Sequence, residues 1–281
     1  MPRRTRFLWP LALALVGILG SAIYYGIVWP RHLHRDWQIA DVIRLSRPDS
    51  LALGPDGRLS YVTLETIPGF LVQLTPDGPK TVFGDFGEPD GLLLLDDGVV
   101  VSEEDADGRV MLYNFASAKM RILARLDHPE GLLRLPDGRL LVSQDVPQGR
   151  VIAITPDDAP PATLVDGLDQ PEGLCHMPDG RIAIAESGSG RILAYGPAGL
   201  QVWADDLDGI DQIACGDDGS VWAVQSAVRS GRLVRIKDDR RQLIMNRLRE
   251  PQGIALAADG SVYLAETRAN RVLHLKPRAA P

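Results

Sequence analysis

The stretch from residue 171 to residue 193 contains the pattern that decides the fold. It reads PEGLCHMPDGRIAIAESGSGRIL, with Pro-Glu-Gly-Leu at 171–174, Pro-Asp-Gly-Arg at 178–181 and Gly-Arg-Ile-Leu at 190–193. The same frame occurs six times between Pro48 and the C-terminus. Its third position is occupied, at spacings of 41, 40, 42, 39 and 41 residues, by Ser50, Gly91, Gly131, Gly173, Gln212 and Gly253.

Each unit consists of short apolar or alternating runs separated by Asp-Gly turns, which is the pattern of strands joined by tight hairpins. No unit shows a sustained helical period. Repeats of about forty residues built from four short strands are typical of propeller blades. The sequence therefore predicts an all-β, six-bladed β-propeller with four-stranded antiparallel blades over residues 37–277, followed by a short tail at 278–281.

The sixth unit lacks its last strand. It supplies three strands between Gln252 and Lys276, and no fourth strand follows before Pro281. The segment Trp37 to Val42 resembles the fourth strands of other units, such as residues 200–204, and runs directly into the first unit. A propeller has to suppress the open edges of its first and last blades. We therefore predict that residues 37–42 form the outer strand of the sixth blade.

An apolar run precedes the repeats. Residues 7–29 are 23 uncharged, mostly apolar positions that follow Arg3, Arg4 and Arg6. A helix of that length would be roughly 35 Å long, enough to cross a bilayer. A cleaved signal peptide is the alternative, because residues 19–22 offer a small-residue cleavage site. The expected order is a basic cytoplasmic tip (1–6), a single-pass inner-membrane anchor (7–29), a linker (30–36) and a propeller in the periplasm or otherwise outside the cytoplasm.

The body of the chain is acidic. Residues 1–35 hold five arginines and no acids, so the remainder has 25 Lys and Arg against 37 Asp and Glu. An acidic body repels phosphate backbones, which argues against nucleic acid as a partner.

The two cysteines, Cys175 and Cys215, lie in the first strands of adjacent units. Neighbouring sheets pack about 10 Å apart, whereas a disulfide needs α-carbons within roughly 7 Å of each other. An oxidising compartment would permit the bond. The spacing nevertheless favours two buried free thiols.

One column of the repeat is acidic. Strands alternate in direction within a blade, so the loops divide between two faces. The first strand of each blade is the innermost one, so its start lies beside the axis at one mouth of the central channel. Clustered carboxylates repel one another and either bind a cation or take up protons, and oxygen-only ligands favour a hard cation such as Ca²⁺. The acidic column, which precedes the third position of the frame, is Asp49, Asp90, Glu130, Glu172, Asp211 and Gln252.

Two further columns belong to the same face. The second strands end there, and an arginine follows the next loop in five units. We expect these arginines to pair with Glu103, Glu186 and Glu266. His128 precedes Pro129 and Glu130 and is a weaker candidate for a general base near the mouth. The strand ends are Thr63, Glu103, Gln144, Glu186, Gln225 and Glu266, and the arginines are Arg109, Arg150, Arg191, Arg232 and Arg271.

The Pro-Glu-Gly-Leu, Pro-Asp-Gly-Arg and Gly-Arg-Ile elements resemble NHL-type repeats and the senescence-marker/gluconolactonase superfamily of six-bladed propellers. In gluconolactonase-like members a single divalent metal, usually Ca²⁺, lies at the channel mouth. The resemblance implies Asp49, Glu172 and Asp211 as its ligands. This sequence departs from the family pattern by carrying Glu172 in place of an amide, and by adding Asp90 and Glu130 to the ring.

Two functions fit these observations. The first is a metal-dependent hydrolase of small lactones or esters, with Asp90 or Glu130 as base beside the metal ligands. The second is a non-catalytic, NHL-like binding or scaffold module of the cell envelope, whose partner is an envelope protein or a carbohydrate. Such a module needs an exposed apolar patch, and the expected loops hold few aromatic residues, which slightly favours the enzyme. An acidic column that recurs only through duplication of an ancestral blade is the structural alternative.

Overall fold

The computed structural model describes residues 32–155 and 159–279, which form six antiparallel sheets and no α-helix. Two strands precede the first blade, β1 (His32–Leu33) and β2 (Trp37–Arg44). Blade 1 consists of β3 (Pro48–Leu53), β4 (Leu59–Leu64), β5 (Gly69–Thr75) and β6 (Gly78–Phe86). Blade 2 consists of β7 (Pro89–Leu94), β8 (Gly98–Glu103), β9 (Gly108–Asn114) and β10 (Lys119–Leu126). Blade 3 consists of β11 (Pro129–Arg134), β12 (Leu140–Gln144), β13 (Pro147–Ile154) and β14 (Ala162–Asp169).

The second half of the chain repeats this order. Blade 4 consists of β15 (Pro171–His176), β16 (Ile182–Glu186), β17 (Arg191–Gly196) and β18 (Gly199–Ala204). Blade 5 consists of β19 (Ile210–Cys215), β20 (Val221–Gln225), β21 (Gly231–Lys237) and β22 (Arg240–Leu248). Blade 6 begins with β23 (Pro251–Leu256), β24 (Val262–Glu266) and β25 (Arg271–Pro277). The predicted six-bladed propeller is confirmed.

The ring closes as predicted. The strand β2 pairs antiparallel with β25, from Trp37 opposite Pro277 to Arg44 opposite Arg271, and is the outer strand of blade 6. The start of the chain also adds a strand that was not predicted. Within the segment assigned as linker, β1 pairs with β22 and becomes the fifth strand of blade 5.

The core lies between the faces of neighbouring blades. Small and branched apolar side chains from adjacent sheets fill each interface, for example Ala183, Ala223 and Ile213 between blades 4 and 5. Nearer the axis, each first strand contacts the first strand of the next blade, including β23 with β3. A Cβ on Gly91 would overlap the carbonyl oxygen of Glu130 in the next blade. Glycine at the third position therefore permits the close approach of these strands.

The two cysteines form a disulfide, so the prediction of free thiols is wrong. The α-carbons of Cys175 and Cys215 are 5.6 Å apart. The spacing of about 10 Å used for the prediction applies to sheets packed face to face. Cys175 and Cys215 lie instead on β15 and β19, at the inner edges of two blades, where strands converge toward the axis.

No helix in the described part of the chain is long and apolar enough to cross a membrane. The structure therefore does not support a single-pass inner-membrane protein, and that prediction is corrected. The segments assigned as basic tip and anchor, residues 1–6 and 7–29, lie outside the described residues.

Replacing Trp37 with alanine tests the closure. Trp37 is 7% exposed and packs edge-to-face on Trp222 of blade 5, with ring centroids 5.1 Å apart. Truncation of a buried tryptophan costs about 3–5 kcal/mol, so we expect the free energy of unfolding measured in urea to fall by that amount. The control is Val202→Ala, at a 56% exposed position of an outer strand, where the change should stay within about 0.5 kcal/mol. Equal stabilities of the two variants would contradict the closing role of β2.

Candidate functional site at the channel mouth

A backbone irregularity positions the acidic column. In all six first strands the pairing register with the second strand shifts just after the opening residue, as between Pro129 and Leu132 in β11. Such bulges redirect side chains and are frequent beside functional sites. Each acidic-column residue directly follows that opening residue, so its side chain is released from regular pairing at the inner end of the blade.

The predicted ring residues are withdrawn from solvent. Asp49 is 2% exposed and Glu130 is 4% exposed, and Asp90, Glu172 and Asp211 are partly buried. Burial of carboxylates without cationic partners is unfavourable. The mouth therefore concentrates acidic groups in a poorly hydrated place.

Three carboxylates of the ring meet. Glu130, Glu172 and Asp211 come from blades 3, 4 and 5, and one oxygen from each lies within 4.8 Å of the others. We call these residues the central triad. Two of them, Glu172 and Asp211, were predicted as metal ligands, and Glu130 was predicted as a base. Asp49, the third predicted ligand, is not part of this group among the described residues.

A second group of carboxylates shares Glu130. Oxygens of Glu104, Glu130 and Asp145 also lie within 4.8 Å of one another. Sequence reasoning missed Glu104 and Asp145. The signal was present, because both belong to a column that directly follows the second strands and is acidic in blades 1–3 and hydroxylated in blades 4–6. This column is Glu65, Glu104, Asp145, Ser187, Ser226 and Thr267.

The alignment of blade 1 was wrong by one residue. Pro48 pairs with Leu64, as Pro89 pairs with Glu103, so Leu64 and not Thr63 ends the second strand in the common frame. The Thr63 hydroxyl instead accepts a hydrogen bond from the Ser50 backbone N–H at 2.8 Å. The first unit has one more residue than most others between its Asp-Gly turn and its strand end, and a register shift after Ala52 accommodates it.

Two glutamine amides donate hydrogen bonds to carboxylates of the ring and add no positive charge. The Gln212 amide donates to Glu130 Oε1 at 2.9 Å. With its amide oriented to donate, Gln252 contacts Asp211 Oδ2 at 2.6 Å and Ser226 Oγ at 3.0 Å. Asp49 Oδ1, in contrast, is buried and has no hydrogen-bond partner among the described residues.

The ring carboxyls hold their protons unusually strongly. Burial raises the pKa of Asp90 to about 7, and it raises the pKa values of Glu104 and Glu172 to about 8. The pKa values of Asp49 and Glu130 are raised well above their ordinary values, first by burial and then by neighbouring carboxylates. A strongly raised pKa in a cluster of like charges is typical of a functional site.

Three of the five arginines pair with glutamates as predicted, and Arg150 donates to Gln144 instead. Arg109 pairs with Glu103, and Arg191 pairs with Glu186. Arg271 donates to Glu266, whose other oxygen accepts the Arg249 backbone N–H at 2.8 Å. Glu103, Glu186 and Glu266 therefore bond blades 2, 4 and 6 to the segments that lead into them, which is a structural role.

His128 lies at the edge of the mouth. Its side chain is partly exposed, and Nδ1 is 2.8 Å from an oxygen of Asp127. Burial raises the pKa values of Glu88 and Asp145, and the nearby charge of protonated His128 opposes this shift in part. The histidine is thus near the second carboxylate group, and outside the central triad.

The opposite face of the propeller has open clefts, and the turn carboxylate Asp259 in their lining has hydrogen-bond donors. A cleft of about 1290 Å³ opens between blades 6 and 1, and its lining includes Asp259. The Ser261 hydroxyl and backbone N–H both donate to Asp259, which lowers the pKa of that carboxyl to about 2. Such turn residues stabilise hairpins. At the mouth, burial outweighs the hydrogen-bond donors of Glu172 and Asp211, and the pKa values of these carboxyls are raised.

Several solved structures share this architecture. No protein-family profile and no curated protein matches the sequence. A gluconolactonase from Xanthomonas campestris aligns with a TM-score of 0.68 at 15% identity, covering 86% of this chain and 91% of that one. A putative gluconolactonase aligns with a TM-score of 0.64 at 12% identity over 91% and 96% of the two chains. Virginiamycin B lyase from Staphylococcus aureus aligns with a TM-score of 0.64 at 11% identity over 86% and 100%. This chain has their six-bladed propeller fold.

The raised pKa values predict how pH changes stability in the absence of metal. A carboxyl with a higher pKa in the folded state contributes stability that is complete below its unfolded pKa and is lost as pH rises through its folded pKa. For Glu104 that window runs from its ordinary value of 4.5 to about 8. The unfolding temperature in chelator should therefore fall across this range, and Glu104→Gln should reduce the fall. A wild-type and a variant curve that run parallel in calorimetry would contradict the buried-acid interpretation.

Proposed function

We propose that the mouth binds a divalent cation between Glu130, Glu172 and Asp211 and that the protein hydrolyses small, uncharged lactones or esters there. The observation that carries the proposal is the approach of three carboxylates, one buried and two partly buried, from successive blades to within 4.8 Å of one another. Repulsion between such charges is relieved by a cation.

The donor set fits a hard cation. Every group of the central triad offers oxygen, which suits Ca²⁺, Mg²⁺ or Mn²⁺ better than softer metals. Asp49 Oδ1 supports the same proposal, because it is a buried acceptor without a donor among the described residues. We therefore assign Glu130, Glu172 and Asp211 as the first ligands and keep Asp49 as a further one.

Asp90 is our candidate for the base. Its pKa of about 7 lies near neutral pH, where a general base is most effective. In the proposed reaction Asp90 takes a proton from water as the water oxygen bonds to the carbonyl carbon. The ring C–O bond then breaks, and the leaving oxygen receives the proton. A bound cation would polarise the carbonyl and stabilise the charge that develops on its oxygen.

The named neighbours and the loops favour this function over a scaffold. Two of the aligned structures are described as gluconolactonases, and a lactone has the uncharged carbonyl that an acidic mouth tolerates. A docking surface needs a contiguous apolar patch. On the mouth-side loops of the described residues, the exposed large apolar side chains are Ile67 and Val228, in blades 1 and 5.

Thermal unfolding with added cations tests metal binding. At a hundredfold excess over Kd, a ligand stabilises the folded state by about 2.7 kcal/mol, so Ca²⁺, Mg²⁺ or Mn²⁺ should raise the unfolding temperature and chelator should reverse the rise. Glu172→Gln should remove most of the rise and should raise the unfolding temperature of the metal-free protein at pH 8, because one buried charge disappears. Asp96→Asn on the opposite face removes the same charge and should leave the rise intact. A wild-type protein unmoved by every cation would refute the site.

Hydrolysis of a lactone panel tests the chemistry. Asp90→Asn should lower kcat by about 10²–10⁴-fold, as expected for loss of a general base, while the cation-induced rise in unfolding temperature persists. A metal-bound protein that hydrolyses no lactone or ester would favour the non-catalytic binding module instead.

A further inference from the structure

The disulfide lies on the two strands that carry two ligands of the central triad. Glu172 and Cys175 are on β15, and Asp211 and Cys215 are on β19. The α-carbons of the two cysteines are 5.6 Å apart. The covalent link therefore joins the strands three and four residues away from the two carboxylates.

The interfaces that follow blades 1, 2 and 3 use a different link. The hydroxyls of Thr63 and Ser102 donate to the carbonyl oxygens of Asp90 and Glu130 in the next blade. The Ser143 hydroxyl donates in the same way to the carbonyl oxygen of Glu172 at 2.7 Å. Each bond holds the backbone of an acidic-column residue against the preceding blade.

Blade 4 cannot make this bond. Its equivalent residue is Ala185, which has no hydroxyl, so no such bond holds Asp211 of blade 5. Blades 5 and 6 also lack the hydroxyl, with Val224 and Ala265 at this position, but the chain has no third cysteine to link the interfaces that follow them. The interface between blades 4 and 5 is also where Glu172 and Asp211 have to converge, although like charges push them apart. The disulfide is a covalent bridge between the two first strands at this interface.

We propose that the Cys175–Cys215 disulfide positions Glu172 and Asp211 for the cation, so that the cation affinity of the mouth depends on the redox state of these cysteines. This inference rests on the proposed metal site. Metal sites require their ligands to be held within about 0.5 Å of the productive geometry. When a dithiol reduces the bond, the S–S bond breaks, each sulfur takes a proton and the dithiol becomes a disulfide. The two strands are then free to separate under the repulsion of their carboxylates.

The experiment compares cation binding in three states of the chain. Wild type is measured oxidised, after reduction with dithiothreitol, and as the Cys175→Ala/Cys215→Ala variant, each checked for retained β-structure by circular dichroism. Calorimetric titration with Ca²⁺ should show at least tenfold weaker binding without the disulfide. The luminescence lifetime of bound Tb³⁺ should shorten, because water replaces a displaced carboxylate. Reoxidation should restore both readouts in wild type only.

A stability-matched control separates positioning from general weakening. Leu71→Ala creates a cavity in the fully buried core beside blade 1, away from the disulfide, and should lower the unfolding temperature while leaving Ca²⁺ affinity and Tb³⁺ lifetime unchanged. An equal loss of affinity in Leu71→Ala would overturn the inference. So would unchanged affinity and lifetime after reduction. Absence of cation binding by oxidised wild type would refute the metal site itself, and the inference with it.

Discussion

The close approach of six first strands around the channel axis is the constraint on which the rest of the structure depends. Their backbones meet with so little space that a Cβ on Gly91, Gly131 or Gly253 would overlap the next blade. This approach also explains why Cys175 and Cys215 are within bonding distance. Outward from the axis the blades diverge, and apolar side chains fill the widening gaps. Closure by β2 completes the ring, so that the first and last blades leave no open gap between them.

The same convergence creates the electrostatic conflict at the mouth. Acids on this face are of two kinds. Glu103 and Glu186 are each matched by an arginine and a backbone N–H, so their charge is satisfied within the fold. The central triad receives hydrogen bonds from neutral groups, including the Gln212 and Gln252 amides and the Ser187 side chain, and burial still raises the pKa values of its carboxyls. Carboxyls that are withdrawn from solvent and repel one another lower the stability of the fold, so selection for stability alone would replace them. Functional sites commonly retain such unfavourable groups at a cost in stability. The conflict is therefore the strongest physical reason to look for a ligand there.

Local pattern explains which predictions succeeded. Asp-Gly turns and alternating runs indicate hairpins regardless of distant contacts, so the blades and the closing strand were predictable, and so was the pairing of Arg109 and Arg191 with glutamates. The alignment failed at Thr63 because one additional residue lies between turn and strand end in the first unit. Glu104 and Asp145 were missed because their column is acidic in only half of the blades, which a search for a constant residue type overlooks.

By itself, the sequence determined the number of blades, the strand that closes the ring and the column of acids at one mouth. Periodicity is enough for these, because it assigns each residue to a strand, a face and an end of the blade. Only the tertiary structure decided that Glu130 joins Glu172 and Asp211, that Asp49 stays outside this group and that the cysteines are bonded. Those outcomes depend on distances between blades, and such distances follow from how all six sheets pack around one axis and not from any single repeat.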